Sequence, residues 1–406
     1  MEQFENFSMP ISRQQEYMMY GENYGQRDAT SILAEGRYLR GKMDLQRMRE
    51  SIFMVAQMHE ALRMVCVKDG DSYILKLKSG KNNTPVFTTD EFHTKEEVQS
   101  DVLHSIENSM ELEKALFTAR VYSLSEEKHI LVVIMHHIIA DSVALSVVLA
   151  DILSCYEGTV PDISSTAQFS EFLADERSFL ESDAGKKQLE YWKKEMDGYI
   201  PSNGDGGGEW YDVIKESTFY VENGRLNERA AELNVSSFVL ILAASHRAIA
   251  EITGTNDTTI GIAFANRIHK KYRKTVGYLA HMIQNRIKHE DTEDADKLIK
   301  AVAAKLSENI KYQRLSQYAP LAKINIGVQD NPFKHDKELF CGSSAERVIF
   351  DIERSVDYIM IGVVPSSKET RINLNCDPNV YSRNYTNKLI GCLKRAIDDI
   401  LYSKEI

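Results

Sequence analysis

The stretch from His129 to Tyr156 constrains the fold more than any other part of the chain. Its first part, HILVVIM at 129–135, is apolar without alternation. A strand with one face in water alternates apolar and polar residues, so an unbroken run reads as a strand covered on both faces. Its last part, from about Ser142 to Tyr156, is apolar on most sides over a helical length. Asp141 or Ser142 is a natural N-cap for that helix, and Gly158 a natural stop. His136, His137 and Asp141 stand between strand and helix. They break the apolar window and make it a poor membrane span.

The rest of the chain follows a mixed α/β pattern. Short strands are predicted over 29–40 and 73–78, with a helix over 44–58 between them. Residues 116–124 and 129–136 form a hairpin across SEEK, and 164–198 read as helical. YIPSNGDGGGEW (199–210) is the Gly-rich, Pro-containing stretch best suited to a boundary, which divides the chain into lobes 1–199 and 200–406. The second lobe repeats the pattern. Helices are expected near 236–253, 293–311 and 382–402, and strands near 257–264, 276–287, 322–329, 347–364 and 369–376. A chain of 406 residues suits two lobes better than one core.

Composition excludes some classes. A net charge of −11 argues against a nucleic-acid binder that works by neutralising phosphates. The five cysteines, Cys66, Cys155, Cys341, Cys376 and Cys392, show neither zinc-ligand nor CxxC spacing. With no signal-peptide pattern at the start, they fit a reducing, cytoplasmic setting.

A neutral imidazole accepts a proton near pH 7, so a histidine in a cleft is a candidate general base. Adjacent residues leaving a strand point to opposite sides, so His136 and His137 should not share one role. Taken alone, the stretch serves equally as a catalytic pair or as satisfied core histidines. Metal binding is disfavoured, because adjacent histidines on a strand cannot easily share an ion and no third ligand is spaced to help. Asp141, buried among apolar residues, needs a cationic partner.

HHIIADS (136–142) resembles the HHxxxDG signature of nonribosomal peptide synthetase condensation domains, within the chloramphenicol-acetyltransferase-like superfamily. Other segments resemble the family's motifs in the family's order. ISRQQEYMM (11–19) is similar to SxAQxRLW through Ser12 and Gln15. MHEALRMVC (58–66) is similar to RHExLRTxF through His59, Glu60, Leu62 and Arg63. IGIAFANR (260–267) resembles GxPxxxR through Gly261 and Arg267, and VGYLAHMIQNR (276–286) resembles VGxFVNTLxxR through Gly277 and Arg286. FDIERSVDYIMIGV (350–363) is similar to the late strand that opens with Phe-Asp.

The resemblance implies two acetyltransferase-like lobes in a V with a tunnel between them. It implies that His137 carries the chemistry, with His136 in a supporting place. Asp141 would be structural, paired with Arg63, with Arg267 as a second candidate. The implied reaction joins a phosphopantetheine thioester on an acyl or peptidyl carrier protein to an amine, which is either a small molecule or itself carrier-bound. No cofactor would stay bound; phosphopantetheine or a CoA thioester arrives as substrate. Backbone N–H groups at the start of the 142–156 helix are candidates for the oxyanion.

Some positions depart from the pattern. The family's glycine after the aspartate is Ser142, which is either a helix cap or a residue that reshapes the donor entrance. The usual Asn of VGxFVNT is His281, and Met58 and Met64 replace an arginine and a threonine. HKKYRK (269–274) sets Lys270, Lys271, Arg273 and Lys274 just after Arg267. It is either a solvated loop or a contact for a pantetheine phosphate, a CoA or the acidic face of a carrier. The expected enzyme is a free-standing condensation enzyme; a domain excised from a synthetase remains the other reading. Ester formation, a CoA donor, epimerisation and a non-catalytic carrier-docking module are the alternatives. The absence of a DFGWG motif weighs against plant-type acyltransferases, the histidine pair against heterocyclisation, and the intact HHxxxD against a docking module.

Overall fold

The computed structural model describes residues 4–23, 31–78, 86–108, 110–201, 205, 217–288, 294–328, 339–340, 343–348, 350, 359–376 and 380–402. They group into two compact units. Unit 1 comprises Met1–Ser178, Ala265–Ala280 and Asn331–Arg354; unit 2 comprises Phe179–Phe264, His281–Asp330 and Ser355–Ile406. No single helix among the described residues is long and apolar enough to cross a membrane.

Unit 1 opens with β1 (Phe4–Pro10), α1 (Arg13–Asn23), β2 (Ile32–Arg40), α2 (Leu45–Met58), β3 (Met64–Asp69) and β4 (Ser72–Lys78). It continues with β5 (Val86–Phe92), α3 (Lys95–Asn108), β6 (Phe117–Ser125), β7 (Lys128–His136), α4 (Ser142–Tyr156) and the start of α5 (Phe169–Glu181). Unit 2 holds α6 (Asp183–Glu195), β8 (Thr218–Glu222), α7 (Asn223–Leu233), α8 (Ser237–Thr253), β9 (Asp257–Phe264), β10 (His281–Lys288), α9 (Ala295–Lys311) and β11 (Ile324–Val328). The pair β12 (Leu339–Phe340) and β13 (Ser343–Ser344) and the strand β14 (Glu346–Val348) return to unit 1. Then β15 (Ile359–Pro365), β16 (Glu369–Asn375) and α10 (Arg383–Tyr402) complete unit 2.

The main sheet of unit 1 runs β14-β2-β7-β6-β5, so β7 lies at its centre, paired antiparallel with β2 and β6. Every residue from His129 to His136 is buried, and alternate residues enter different cores. Leu131, Val133 and Met135 pack with α2 and α4 through Ile52, Val55, Val148 and Ile152. Ile130, Val132 and Ile134 pack with Val98, Val102 and Ile106 of α3. A sheet sandwiched between helices has no wet face, hence the unbroken apolar run. Three further strands, β1-β4-β3, form a small sheet.

Unit 2 is built on a six-stranded sheet, β10-β9-β11-β15-β16-β8, with β11 parallel to both β9 and β15 and the other pairs antiparallel. Ile359, Ile361 and Val363 of β15 pack with Ile249 of α8, Val302 of α9 and Leu393 and Ile397 of α10.

Several boundaries differ from the sequence reading. The division expected after residue 199 falls earlier, because α6 belongs to unit 2. There Trp192 and Met196 pack with Ile283 and Ala319, and Trp192 Nε1 donates to the Tyr312 carbonyl at 2.7 Å. Within the expected linker, 202–204 and 206–210 lie outside the described residues. The single helical stretch over 164–198 is two helices, broken at Ser182, whose hydroxyl caps α6 by accepting from the Gly185 N–H at 3.0 Å. The strand expected over 347–364 is two strands in different sheets, β14 and β15. The Phe-Asp segment is described only at Phe350 and from Ile359 onward.

Candidate active site

The histidine pair sits where β7 leaves its sheet and turns into α4. His136 ends the strand, and its N–H donates to the Leu116 carbonyl at 2.8 Å. His137–Ile139 form one tight helical turn, capped by His136 Nδ1 accepting from the Ile138 N–H at 3.1 Å. His136 is buried, while His137 is half-buried. One imidazole is thus tied into the backbone, and the other is half-buried against the Tyr278 ring.

The opening motif holds this turn from outside. Ser12 and Gln15 form a capping box at the start of α1: the Gln15 N–H donates to Ser12 Oγ at 3.3 Å, and the Ser12 N–H to Gln15 Oε1 at 2.7 Å. The remaining end of fully buried Gln15, Nε2, donates to the Ile138 carbonyl at 2.5 Å.

Asp141 is 2% exposed and is the N-cap of α4, its Oδ1 accepting from the Ala144 N–H at 2.9 Å. Arg267 Nη2 donates to Oδ1 at 2.9 Å and Nη1 to Oδ2 at 2.8 Å. The Leu279 and Ala280 N–H groups each donate to Oδ2 at 3.0 Å. Burial pushes the Asp141 carboxyl up, but the Arg267 guanidinium and these hydrogen bonds outweigh burial and hold it below its ordinary value. The cation at Asp141 is therefore Arg267, which corrects the pairing with Arg63. Arg63 is half-buried in the turn Glu60–Arg63 that follows α2, and it is not among the partners of Asp141.

Residues 265–280, which join β9 to β10, form a loop of unit 1. Thr275 Oγ1 anchors it to the Ala167 carbonyl at 2.7 Å. At Gly277 an added Cβ would lie 2.3 Å from the Phe169 ring, so the close approach of this loop to α5 requires glycine. The strand expected from 276 begins only at His281, because the N–H groups of Leu279 and Ala280 turn to Asp141 instead of a ladder. Lys270, Lys271, Arg273 and Lys274 are all exposed on this loop, and Lys271 Nζ stands 4.7 Å over the Tyr272 ring.

Ser142 is exposed in the first turn of α4, with Asp141 rather than Ser142 as the cap. The N–H of Ala144 is committed to Asp141 Oδ1, and that of Leu145 to the Asp141 carbonyl at 3.0 Å.

Sequence reasoning missed three features. The Tyr278 ring lies edge-on to His137, with centroids 4.5 Å apart. His59 Nε2 and Asp151 Oδ2 meet at 2.8 Å in the core; an aspartate in the otherwise apolar α4 was the available signal. The Glu60 carboxylate accepts from the Ser170 N–H at 2.5 Å, while Gln168 bonds the Glu60 N–H and the Met58 carbonyl at 3.1 and 3.0 Å. The second motif thereby fastens α2 to α5. In unit 2, Arg286 grips Asp257 at 2.8 and 2.6 Å and the carbonyls of Glu195 and Asp197 at 3.1 and 2.7 Å, which makes it a structural staple. Among the described residues no group of three or more His, Cys, Asp or Glu side chains is placed to hold a metal ion.

The sequence and the fold are similar to those of known proteins. The family model of the condensation domain matches residues 7–331. Bacitracin synthase 3 of Bacillus licheniformis is 26% identical over 285 residues, 67% of this chain. The chain spans only 4% of the length of that relative. The condensation domain from Monacolin K polyketide synthase MokA superposes with a TM-score of 0.81 at 16% identity, covering 97% of each chain. A mutant of the starter condensation domain of rhizomide synthetase RzmA, in complex with C8-CoA and Leu-SNAC, superposes with a TM-score of 0.76 at 16% identity. That comparison covers 97% of this chain and 94% of the other. A motif turn held by its own family's residues, a family match over most of the chain and a shared fold lead to one conclusion: the chain belongs to the condensation domain family.

Proposed function

We propose that this chain forms an amide bond, moving an acyl or aminoacyl group from a phosphopantetheine thioester on a carrier protein to an amine, with His137 as the reacting imidazole. The observation that carries this reading is the division of labour at the turn. His136, Gln15, Asp141 and Arg267 hold the backbone and loop around the turn, and the half-buried imidazole of His137 stands within that frame, edge-on to Tyr278. The amine nitrogen attacks the thioester carbonyl, the C–N bond forms and the C–S bond breaks. The proton leaving nitrogen passes to His137 and then to the departing thiolate, so the imidazole is regenerated. Ser142, through its backbone N–H, faces the developing oxyanion at the donor side. Holding both reactants in line contributes about 7–11 kcal/mol toward the barrier.

Lys270, Lys271, Arg273 and Lys274 are assigned to the phosphate of the pantetheine arm or to an acidic carrier face, because four exposed cations stand on the loop that also holds Arg267. A CoA thioester is the second donor considered, since the related RzmA domain is described in complex with C8-CoA. The test offers an acyl-loaded carrier, and separately an acyl-CoA, with a panel of amines and alcohols, and reads products by mass. Amide product from the carrier supports the proposal. Ester product alone, or no acyl transfer from either donor, overturns it.

A further inference from the structure

We infer that Tyr278 is a positioning residue that aims the His137 imidazole. The inference rests on the proposed role of His137 and adds how its ring is oriented. Gln15 holds the Ile138 carbonyl, and the Ala140 N–H donates to the His137 carbonyl at 3.2 Å, and these contacts set where the His137 Cα lies. The Tyr278 ring makes an edge contact with the imidazole at 4.5 Å between centroids and 62° between planes. Aromatic pairs favour this arrangement, and it narrows the orientations open to a ring.

Tyr278 is itself delivered without slack. The residue before it, Gly277, presses on Phe169, and the two residues after it, Leu279 and Ala280, both hold Asp141 Oδ2. Asp141 lies four residues beyond His137. One carboxylate therefore references both rings: it caps the helix that follows His137 and grips the loop that carries Tyr278. This gives the buried aspartate a consequence for catalysis without contact with substrate.

Three variants and two readouts test the inference. Histidine ring signals are recorded by NMR, with the His137 signals identified by their loss in His137→Ala. Tyr278→Leu and Tyr278→Met should move those signals, since the ring current is removed, while Tyr278→Phe should leave them in place. In acyl transfer from an acyl-CoA or acyl-loaded carrier, Leu and Met should lower kcat about three- to tenfold with KM nearly unchanged, and Phe should restore it. An unchanged kcat in Tyr278→Leu, or equal losses in Phe and Leu, overturns the inference while leaving the role of His137 intact. Undiminished product from His137→Ala instead overturns the proposed function, and this inference with it.

Discussion

Arg267 closes a two-pronged pair on Asp141, Nη1 to Oδ2 at 2.8 Å and Nη2 to Oδ1 at 2.9 Å, and the arginine side chain is only 7% exposed. Two parallel charge-assisted bonds suit a planar guanidinium and not an ammonium group. Removing either partner strands a buried charge. Asp141→Ala and Arg267→Ala should each destabilise the fold by about 3–5 kcal/mol, read as a lower urea midpoint and poor soluble yield. Arg267→Lys should recover little of this, and Arg63→Ala should cost less than Arg267→Ala. Equal losses at Arg63 and Arg267 would contradict the assignment.

The same pair sets an acid limb. The Asp141 carboxyl is held below its ordinary value of 3.8, so its stabilisation is complete above that value and is lost as pH falls through the lower folded-state value. Urea midpoints should therefore fall below about pH 4 in the wild type. In Asp141→Asn, already weakened, that fall should be shallower. An equally steep fall in both would mean that other carboxylates govern acid unfolding.

Gln15 links the first motif to the histidine turn. Gln15→Leu leaves the Ile138 carbonyl without its 2.5 Å donor, at a cost of about 1–3 kcal/mol. Because the affected carbonyl is next to His137, kcat should fall more than KM rises. A stability loss with unchanged kcat would confine Gln15 to the fold.

At Gly277 the outcome turns on one ring. Gly277→Ala sets a methyl 2.3 Å from Phe169 and should cost about 1–3 kcal/mol in urea unfolding. Adding Phe169→Leu should return part of that loss. A double variant no more stable than the sum of the two singles would contradict the contact.

Much of this was legible in the sequence. The unbroken run 129–135 marks the central strand because its alternate residues fill two cores, and burial on both faces leaves no polar position. The motif residues around His137 were legible as residue types, but not as contacts. Whether Arg63 or Arg267 meets Asp141 depends on a loop more than 120 residues later in the chain, with Arg267 being 126 positions away from Asp141. Tyr278 was invisible for the same reason. Helix α3 carries a readable signal in its capping box and its apolar spacing. The Thr94 N–H donates to Glu97 Oε2 at 2.7 Å and the Glu97 N–H to Thr94 Oγ1 at 3.1 Å, and Val98, Val102 and Ile106 follow at helical spacing. Short edge strands such as β8 carry too few residues for a periodicity to stand out.

Charge on the 269–274 loop gives a salt-dependent prediction. Reversing Lys270, Lys271, Arg273 and Lys274 to glutamate should weaken carrier affinity at low ionic strength, and the difference should shrink as salt rises. Affinity that is unchanged at low salt would make the loop a solvated surface.

The most direct test of the central claim is the rate of amide product formation by His137→Ala, measured beside its melting temperature and that of the wild type. The account predicts an unchanged melt and a rate lower by about a hundredfold or more. A rate close to wild type in a folded His137→Ala protein would contradict it.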